Sequence, residues 1–152
     1  LDVNVGSQFL TSRMAAKYMM AGKTEGTILT LSASLSRIKA PLMPAISAAC
    51  SAIEGMTRSL AAEYGPAGIR VICMNPTSLK ETRTIKETTA LISKTMGIPA
   101  EAFEAESMKG YLMGKSPTTA DVGKLAAFLV SDTGALLNSH VIDADFGTHS
   151  VI

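Results

Sequence analysis

The sequence predicts an α/β fold, with a parallel sheet of about three strands flanked by helices. Three short apolar segments bounded by turn residues, 26–34, 68–76 and 139–147, are typical of strands. Longer segments with helical periodicity separate them, and strands separated by helices are joined by parallel crossovers. Because a chain of 152 residues suffices for one compact domain and hardly for two, we expect residues 1–152 to form a single domain.

The first predicted helix covers residues 4–21 and precedes the first strand. Its large apolar side chains recur mostly at spacings of four and five, which places them on one side of a helix. Gly22 is expected to end this helix in a left-handed conformation. The apolar side consists of Phe9, Leu10, Met14, Tyr18 and Met19.

The second predicted helix, 45–63, has an apolar side at spacings of three and four and ends at Gly65 and Pro66. Alanine and serine keep its first turns narrow, which permits close backbone approach. The strand that follows, 68–76, is apolar on both faces in its second half, as expected of a parallel strand covered by helices. The apolar side of the helix consists of Ile46, Cys50, Ile53, Thr57 and Leu60.

Segment 77–117 interrupts the alternation of strands and helices. Its apolar residues favour one or two helices, and we expect it to form a lid-like helical insert. The last helix is predicted at 118–132, where Thr118 and Asp121 have the spacing of a capping box.

Composition excludes several classes of protein. Apolar residues make up 47% of the chain, and the net charge of +1 comes from scattered basic residues, so a nucleic-acid surface is not expected. No apolar run approaches the roughly 20 residues that span a bilayer. Cys50 and Cys73 lack the spacing of metal ligands, so no metal site is predicted. We expect both to be buried, reduced thiols in a cytoplasmic protein.

Five stretches that together cover most of the chain carry a resemblance to a known family. They are NVGSQFLTSRMAAKYM, GTILTLSAS, AIEGMTRSLAAEYGPAGIRV, TADVGKLAAFLVSD and VIDADFG. Together they resemble the C-terminal half of a short-chain dehydrogenase/reductase, a Rossmann-type NAD(P)-dependent family. The resemblance implies a partial Rossmann-type sheet. The chain begins without an initiator Met, and we expect it to derive from a longer polypeptide.

The resemblance also implies where catalytic residues would stand. In that family a tyrosine acts as general acid or base, and a lysine one helical turn later holds the nicotinamide ribose. A serine hydrogen-bonds the substrate oxygen, and an asparagine supports a proton-relay water. Carried over without gaps, Ile46, Cys50 and Ala33 occupy the tyrosine, lysine and serine positions, and only Asn4 matches. Neither Ile46 nor Ala33 can move a proton or orient an oxygen.

Three residues leave a rescue of this site open. Ser32 and Ser34 flank Ala33, so a shift of one residue would restore a serine. Tyr111, in the lid-like insert, is a candidate to reach a pocket.

The cofactor-binding positions implied by the resemblance are also altered. Pro76 and Thr77 stand where the family has a Pro-Gly turn that contacts the nicotinamide. The glycine-rich loop that binds the pyrophosphate is absent from the chain. The chain alone is therefore expected to hold no dinucleotide, whereas NAD or NADP is expected if the N-terminal half is present.

Two functions remain open from the sequence. The first is a non-catalytic homologue with a role in binding or assembly. The second is the C-terminal half of an atypical NAD(P)-dependent oxidoreductase whose cofactor-binding half lies outside the chain. In either case the expected partner is the N-terminal half or a like subunit. The edge of the first strand at 28–32 has no proline or charge to protect it from pairing with another strand.

Overall fold

A computed structural model describes residues 1–148 of the protein. Its sheet contains three parallel strands in the spatial order β1–β2–β3, with bounds Gly26–Leu31, Ile69–Pro76 and Val141–Ala144. Six residue pairs join β1 to β2, and four join β2 to β3. The predicted three-stranded parallel sheet is therefore confirmed. Residues 149–152 of the predicted domain lie outside the described residues.

Five α-helices accompany the strands and lie within a few residues of the predicted positions. A capping box opens the last of them: Thr118 Oγ1 accepts from the Asp121 amide at 3.2 Å, and the Thr118 amide donates to Asp121 Oδ2 at 3.0 Å. The helices are α1 (Ser7–Gly22), α2 (Pro44–Tyr64), α3 (Arg83–Met96), α4 (Ala100–Met108) and α5 (Thr119–Val130).

The end of α1 differs from the sequence prediction by one residue. Gly22 is still helical, and Lys23 takes the left-handed conformation with φ 52°. The Lys23 and Thr24 amides donate to the carbonyls of Met20 and Met19, at 3.1 and 3.0 Å. These hydrogen bonds satisfy carbonyl groups at the end of the helix. The helix thus ends at Lys23 and not, as predicted, at Gly22.

The large apolar side of α1 is not its buried side. Ser12 and Ala16 are the buried residues of the helix, and both are small. Of the five larger side chains that predicted the helix, Met19 is partly buried against the core and the other four are exposed: Phe9 at 39%, Leu10 at 63%, Met14 at 52% and Tyr18 at 72%. The helix therefore approaches the sheet closely and presents an apolar surface on its other side.

The core lies between the sheet and helices α1, α2 and α5. Helix α2 packs along β2 and buries the predicted side from Cys50 to Leu60, but not Ile46. A buried hydroxyl pair, Thr30 Oγ1 and Thr57 Oγ1 at 2.6 Å, joins α2 to β1. Leu129 of α5 is fully buried against β2.

Leu129→Ala is expected to lower the free energy of unfolding by about 2–5 kcal/mol, because it opens a cavity in this core. Leu136→Ala is the matched control, since Leu136 is 96% exposed. An exposed leucine distant from the core should change stability by no more than about 0.5 kcal/mol. Urea unfolding of both variants measures the difference, and equal losses would contradict this packing.

Segment 77–117, which we predict to form a lid-like helical insert, contains α3 and α4. It contacts the rest of the chain near both of its ends. Glu81 Oε1 accepts from the Thr119 amide at 2.6 Å, and hydrogen bonds from Thr119 lower the pKa of Glu81. Tyr111 forms an antiparallel bridge with Thr148. Among residues 1–148, no helix has the combined length and apolarity needed to cross a membrane.

Strand β1 lies at the edge of the sheet as the structure describes it. The Gly26 and Ser32 amides donate to the carbonyls of Gly68 and Met74 on the β2 side. Because backbone groups alternate in a parallel ladder, the N–H and C=O groups of Thr27, Leu29 and Leu31 point to the outer side of β1. We expected the whole edge to be unpaired, but one residue of it has a side-chain partner. Gln8 of α1 pairs with the Leu31 backbone: its Oε1 accepts from the Leu31 amide at 2.7 Å, and its Nε2 donates to the carbonyl at 2.9 Å.

Candidate functional site

The predicted site residues gather where β1 and β2 end and where α2 begins. Ala33 follows β1, Pro76 ends β2, and Ile46 and Cys50 lie in the first two turns of α2. Ligands of open parallel sheets bind outside the carboxyl ends of the strands, so this is the expected location of a site. The residues named from the resemblance therefore lie at this end of the sheet.

Asn4 lies in a π-helical turn, Asp2–Gly6, that precedes α1 and packs against α2. Turns of this kind are rare and occur frequently at functional sites. The Asn4 carbonyl accepts from Gln8 Nε2 at 3.3 Å, so its main-chain oxygen already has a protein partner.

The three positions that the resemblance aligns with the family's serine, tyrosine and lysine hold an alanine, an isoleucine and a cysteine. Ala33 is in extended backbone, with φ −153° and ψ 160°. Ile46 is 44% exposed, whereas Cys50, one turn later, is 5% exposed. Cys50 is thus one of the buried residues of α2, whereas the side chain of Ile46 faces outward in part.

The two serines that flank Ala33 point to different partners. Ser32 is buried, and its Oγ donates to the Cys50 carbonyl at 3.2 Å, so it holds β1 to α2. The Ser34 Oγ lies 3.2 Å from Thr77 Oγ1, beside a pocket that Ser34 lines. Of the two, Ser34 is therefore the serine available to a ligand.

A chain of hydroxyl groups leads from Ser34 into the insert. Thr77 is 8% exposed, and its Oγ1 lies 3.2 Å from Ser34 Oγ and 3.3 Å from the hydroxyl of Tyr111. Tyr111 is also 8% exposed, so it is held against the end of β2 rather than projecting into solvent. Sequence reasoning named all three residues but could not connect them, because they come from three separate segments.

An ion pair between Glu54 and Arg37 lies beside this part of α2. Glu54, one turn after Cys50, accepts from Ser36 Oγ at 2.5 Å and from Ser32 Oγ at 3.4 Å. Arg37 Nε lies 3.9 Å from the same carboxylate oxygen. A carboxylate disfavours the ionised form of a nearby hydroxyl, which is opposite to the effect of the family's lysine.

A polar pocket at the carboxyl ends of all three strands was missed by sequence reasoning. Asp143 of β3 joins two other lining residues: its Oδ2 accepts from Arg37 Nη1 at 3.0 Å, and its Oδ1 accepts from Asn75 Nδ2 at 2.8 Å. A signal was present in the sequence, since Asn75 is a polar residue in the otherwise apolar second half of its strand and Asp143 is a charged residue in a short strand. The pocket is lined by Ser34, Arg37, Ile38, Asn75, Asp143, Asp145, Gly147 and Thr148.

Both cysteines are buried free thiols, as predicted. Burial raises the pKa of the Cys73 thiol, which therefore remains protonated at neutral pH. The thiol of Cys73 donates to the Met74 carbonyl at 3.6 Å within β2. A buried, protonated thiol is a packing group and not a nucleophile.

Comparison with known proteins agrees with this architecture. A family profile described as enoyl-(acyl carrier protein) reductase matches residues 1–149. The 2-dehydro-3-deoxy-D-gluconate 5-dehydrogenase of Bacillus subtilis is 28% identical over 149 residues, which are 97% of this chain and 54% of that protein. A Xanthobacter autotrophicus protein named inactive 2-(S)-hydroxypropyl-CoM dehydrogenase 2 is 29% identical over 152 residues, or 99% of this chain and 63% of that protein.

A solved structure shows the same fold. The 3-oxoacyl-(acyl-carrier protein) reductase with bound NAD from Brucella melitensis superposes with a TM-score of 0.78 and 26% identity, covering 97% of this chain and 50% of that one. The chain thus spans about half the length of the proteins it matches. Since the profile matches nearly every residue and the sheet is that of the solved relative, the chain belongs to the short-chain dehydrogenase/reductase family.

Proposed function

We propose that this chain is a short-chain dehydrogenase/reductase homologue that does not catalyse the family's proton-coupled hydride transfer and acts instead in binding or assembly. The observation that carries the proposal is the set of side chains at the start of α2 and the end of β1. Ala33, Ile46 and Cys50 supply no hydroxyl or ammonium group there. The name of the inactive Xanthobacter relative supports the idea that family members without activity exist.

The surroundings of these positions support the same proposal. A tyrosinate-assisting cation would have to stand near the start of α2, but the guanidinium of Arg37 is already paired with the carboxylates of Glu54 and Asp143. Ser32, which a shift of one residue would recruit, is bonded to the α2 backbone. General acid–base transfer contributes about 10²–10⁴ in rate, and its donor is the group that these substitutions remove.

Nicotinamide absorbance with a broad panel of ketones and alcohols tests this function. We expect no turnover. A rate near the usual enzyme range of about 1 s⁻¹ or above would contradict the proposal.

We also propose that the residues of this chain do not by themselves fit a nicotinamide dinucleotide. Thr77 stands at the position of the family's glycine after Pro76, and its side chain is buried in the hydroxyl chain. Cys50 cannot donate to ribose hydroxyls as a lysine would. The chain also lacks a glycine-rich loop between a strand and a helix, where backbone amides would cradle the pyrophosphate.

Calorimetry is therefore expected to give a dissociation constant no tighter than about 1 mM for NAD or NADP with the 152-residue chain, a free energy of only about −4 kcal/mol. AMP serves as the control ligand, since binding through the adenosine half alone would affect both titrations equally. A low-micromolar constant for either dinucleotide would show that the chain contains a complete cofactor site.

A second candidate function is the C-terminal half of an atypical NAD(P)-dependent oxidoreductase. The hydroxyl chain from Ser34 through Thr77 to Tyr111 favours it, because it brings a tyrosine to the end of β2. The solved relative from Brucella melitensis has NAD bound, and the cofactor of this chain would be held by residues outside it. If turnover is found, Tyr111→Phe should abolish it under this candidate and leave it unchanged under a different donor.

The expected partners follow from the two apolar surfaces of the chain. The outer edge of β1 and the exposed side of α1 support association with the family's N-terminal half, with a like subunit, or with both. A cytoplasmic location remains our proposal, supported by the two buried free thiols, which are typical of reducing compartments.

A further inference from the structure

The outer edge of β1 presents two residues whose backbone groups pair with no strand among residues 1–148. The ladder to β2 uses every second residue of β1, so the N–H and C=O groups of Thr27, Leu29 and Leu31 point outward. The side chain of Gln8 already pairs with both groups of Leu31. Thr27 and Leu29 remain, each with one donor and one acceptor for a further strand.

A groove between α1 and β1 lies beside this edge. Its strand side consists of Thr27, Ile28 and Leu29, and its helix side includes the small residues Ser12 and Ala15. All residues that line the groove within 1–148, and all residues of β1, are uncharged. Strand edges that avoid pairing usually carry a charge or a proline, and β1 carries neither. The edge and its groove are therefore suited to a neutral strand.

A second copy of the chain supplies such a strand. Partners related by a twofold axis present the same surface to each other, so a charge near that axis would face a like charge. The neutral edge of β1 avoids this repulsion. Ile28 packs with Ala16 of α1 and Leu60 of α2, so both helices lie on one face of the sheet. A twofold axis perpendicular to the sheet keeps the α1 helices of both copies on the same face and places their grooves side by side.

The free backbone groups determine the register of such a pair. Facing residues of two antiparallel strands alternate between hydrogen-bonded and non-hydrogen-bonded pairs. If Ile28 faces its counterpart in the second copy, Thr27 of each copy faces Leu29 of the other, and each of these pairs exchanges both of its N–H···O bonds. An axis at Leu29 would instead need the backbone of Leu31, which already has a side-chain partner. An axis at Thr27 would place Leu29 opposite Glu25, which lies outside the strand.

We propose that two copies of this chain pair through β1, antiparallel and about a twofold axis at Ile28, so that their two three-stranded sheets form one continuous sheet. Among the twofold registers, this one pairs both Thr27 and Leu29 and leaves Gln8 in place on Leu31. The inference rests on the proposed role in assembly and specifies the partner, the orientation and the register of that assembly.

Three single-cysteine variants of the full 152-residue chain, Thr27→Cys, Ile28→Cys and Leu29→Cys, test the register under mild oxidation. Only Ile28→Cys is expected to give a disulfide-linked dimer, because its Cα atoms would lie about 4.5 Å apart across the axis. The other two cysteines would lie diagonally, about 7–8 Å apart, beyond the usual span of a disulfide. The wild type is the control, since Cys50 and Cys73 are buried. A dimer of either other variant, or its absence in a folded Ile28→Cys chain, would overturn the proposal.

Hydrogen exchange gives a second readout that needs no cysteine. The Leu29 amide is expected to exchange at least about tenfold more slowly in the wild type than in Thr27→Pro, because a proline on an edge strand blocks pairing. The Ile28 and Thr30 amides point to β2 and should stay protected in both chains, which shows that the variant folds. Equal exchange of the Leu29 amide in both would overturn the proposal, and if one variant fails to fold, the other experiment decides. No hydride transfer is measured, so failure here leaves the proposed loss of catalysis unaffected.

Discussion

In solution the 152-residue chain is expected to have a molar mass well above the 15.9 kDa of one chain. Thr27 and Leu29 turn their backbone groups to the outer side of β1, where no strand among residues 1–148 pairs with them. Unprotected strand edges pair with strands of other molecules. The exposed apolar side chains of α1 form a second surface that favours association. Light scattering at micromolar concentration, with a thermal melt, measures the outcome.

Two substitutions at this edge should act in opposite directions. Leu31→Lys introduces a charge at a residue that is 51% exposed on the edge strand, and should shift the chain toward the monomer. Gln8→Ala removes the side chain that pairs with the Leu31 backbone, and should increase association. Leu136→Lys is the matched control, because it adds the same charge at an exposed leucine elsewhere. If the wild-type chain is a monomer that unfolds in one cooperative transition, the edge of β1 does not cause association.

Restoring the family's residues is expected to produce activity only as a set. The suitable protein is a fusion of the N-terminal half of the Bacillus subtilis relative to this chain, because it supplies a cofactor site. With Ala33, Ile46 and Cys50 in place, we expect no hydride transfer even when NAD(P) binds. The combined substitutions Ala33→Ser, Ile46→Tyr and Cys50→Lys should raise the rate by about 10²–10⁴, the usual contribution of acid–base catalysis.

The controls separate chemistry from folding. The reciprocal set introduces Ala, Ile and Cys at the positions of the Bacillus subtilis relative that align with residues 33, 46 and 50, and should lower the activity of that protein by a similar factor. Equal cofactor affinity in the two fusions shows that both fold around the cofactor. Activity of the unrestored fusion equal to that of the restored one would contradict the assignment of these positions.

The strands and helices could be predicted because their signals are local. Segment 68–76 is apolar over a strand's length, and Thr118 and Asp121 are three residues apart, as a capping box requires. The predicted bounds therefore agree with the structure to within a few residues. The end of α1 was missed by one residue because Lys23 can adopt the left-handed conformation that Gly22 was expected to take.

The burial of α1 could not be predicted in the same way. Apolar periodicity shows that a helix has two different sides, but not which neighbour each side faces. In α1 the small residues Ser12 and Ala16 are buried, whereas most of the large ones are exposed. The apolar side of a helix can therefore face a partner molecule instead of the core of its own chain.

The pocket depends on contacts between residues far apart in the chain. Arg37 and Asp143 are separated by 106 positions, and Asn75 and Asp143 by 68. Spacing along the sequence carries no information about such pairs. The positions implied by the family resemblance do not depend on such spacing. A resemblance implies a fold, and the fold determines that Ala33 follows β1 and that Cys50 lies near the start of α2.

Transfer of deuterium from 4-deuterated NADH and NADPH to a carbonyl panel tests the central claim most directly, because mass spectrometry of the products detects even a single turnover per chain. The fusion with the Bacillus subtilis N-terminal half is used so that cofactor binding is not limiting, and its restored variant serves as the positive control. For the unrestored fusion we expect no deuterated alcohol above the protein-free control. One or more deuterium atoms transferred per chain would show that Ala33, Ile46 and Cys50 do not abolish the reaction.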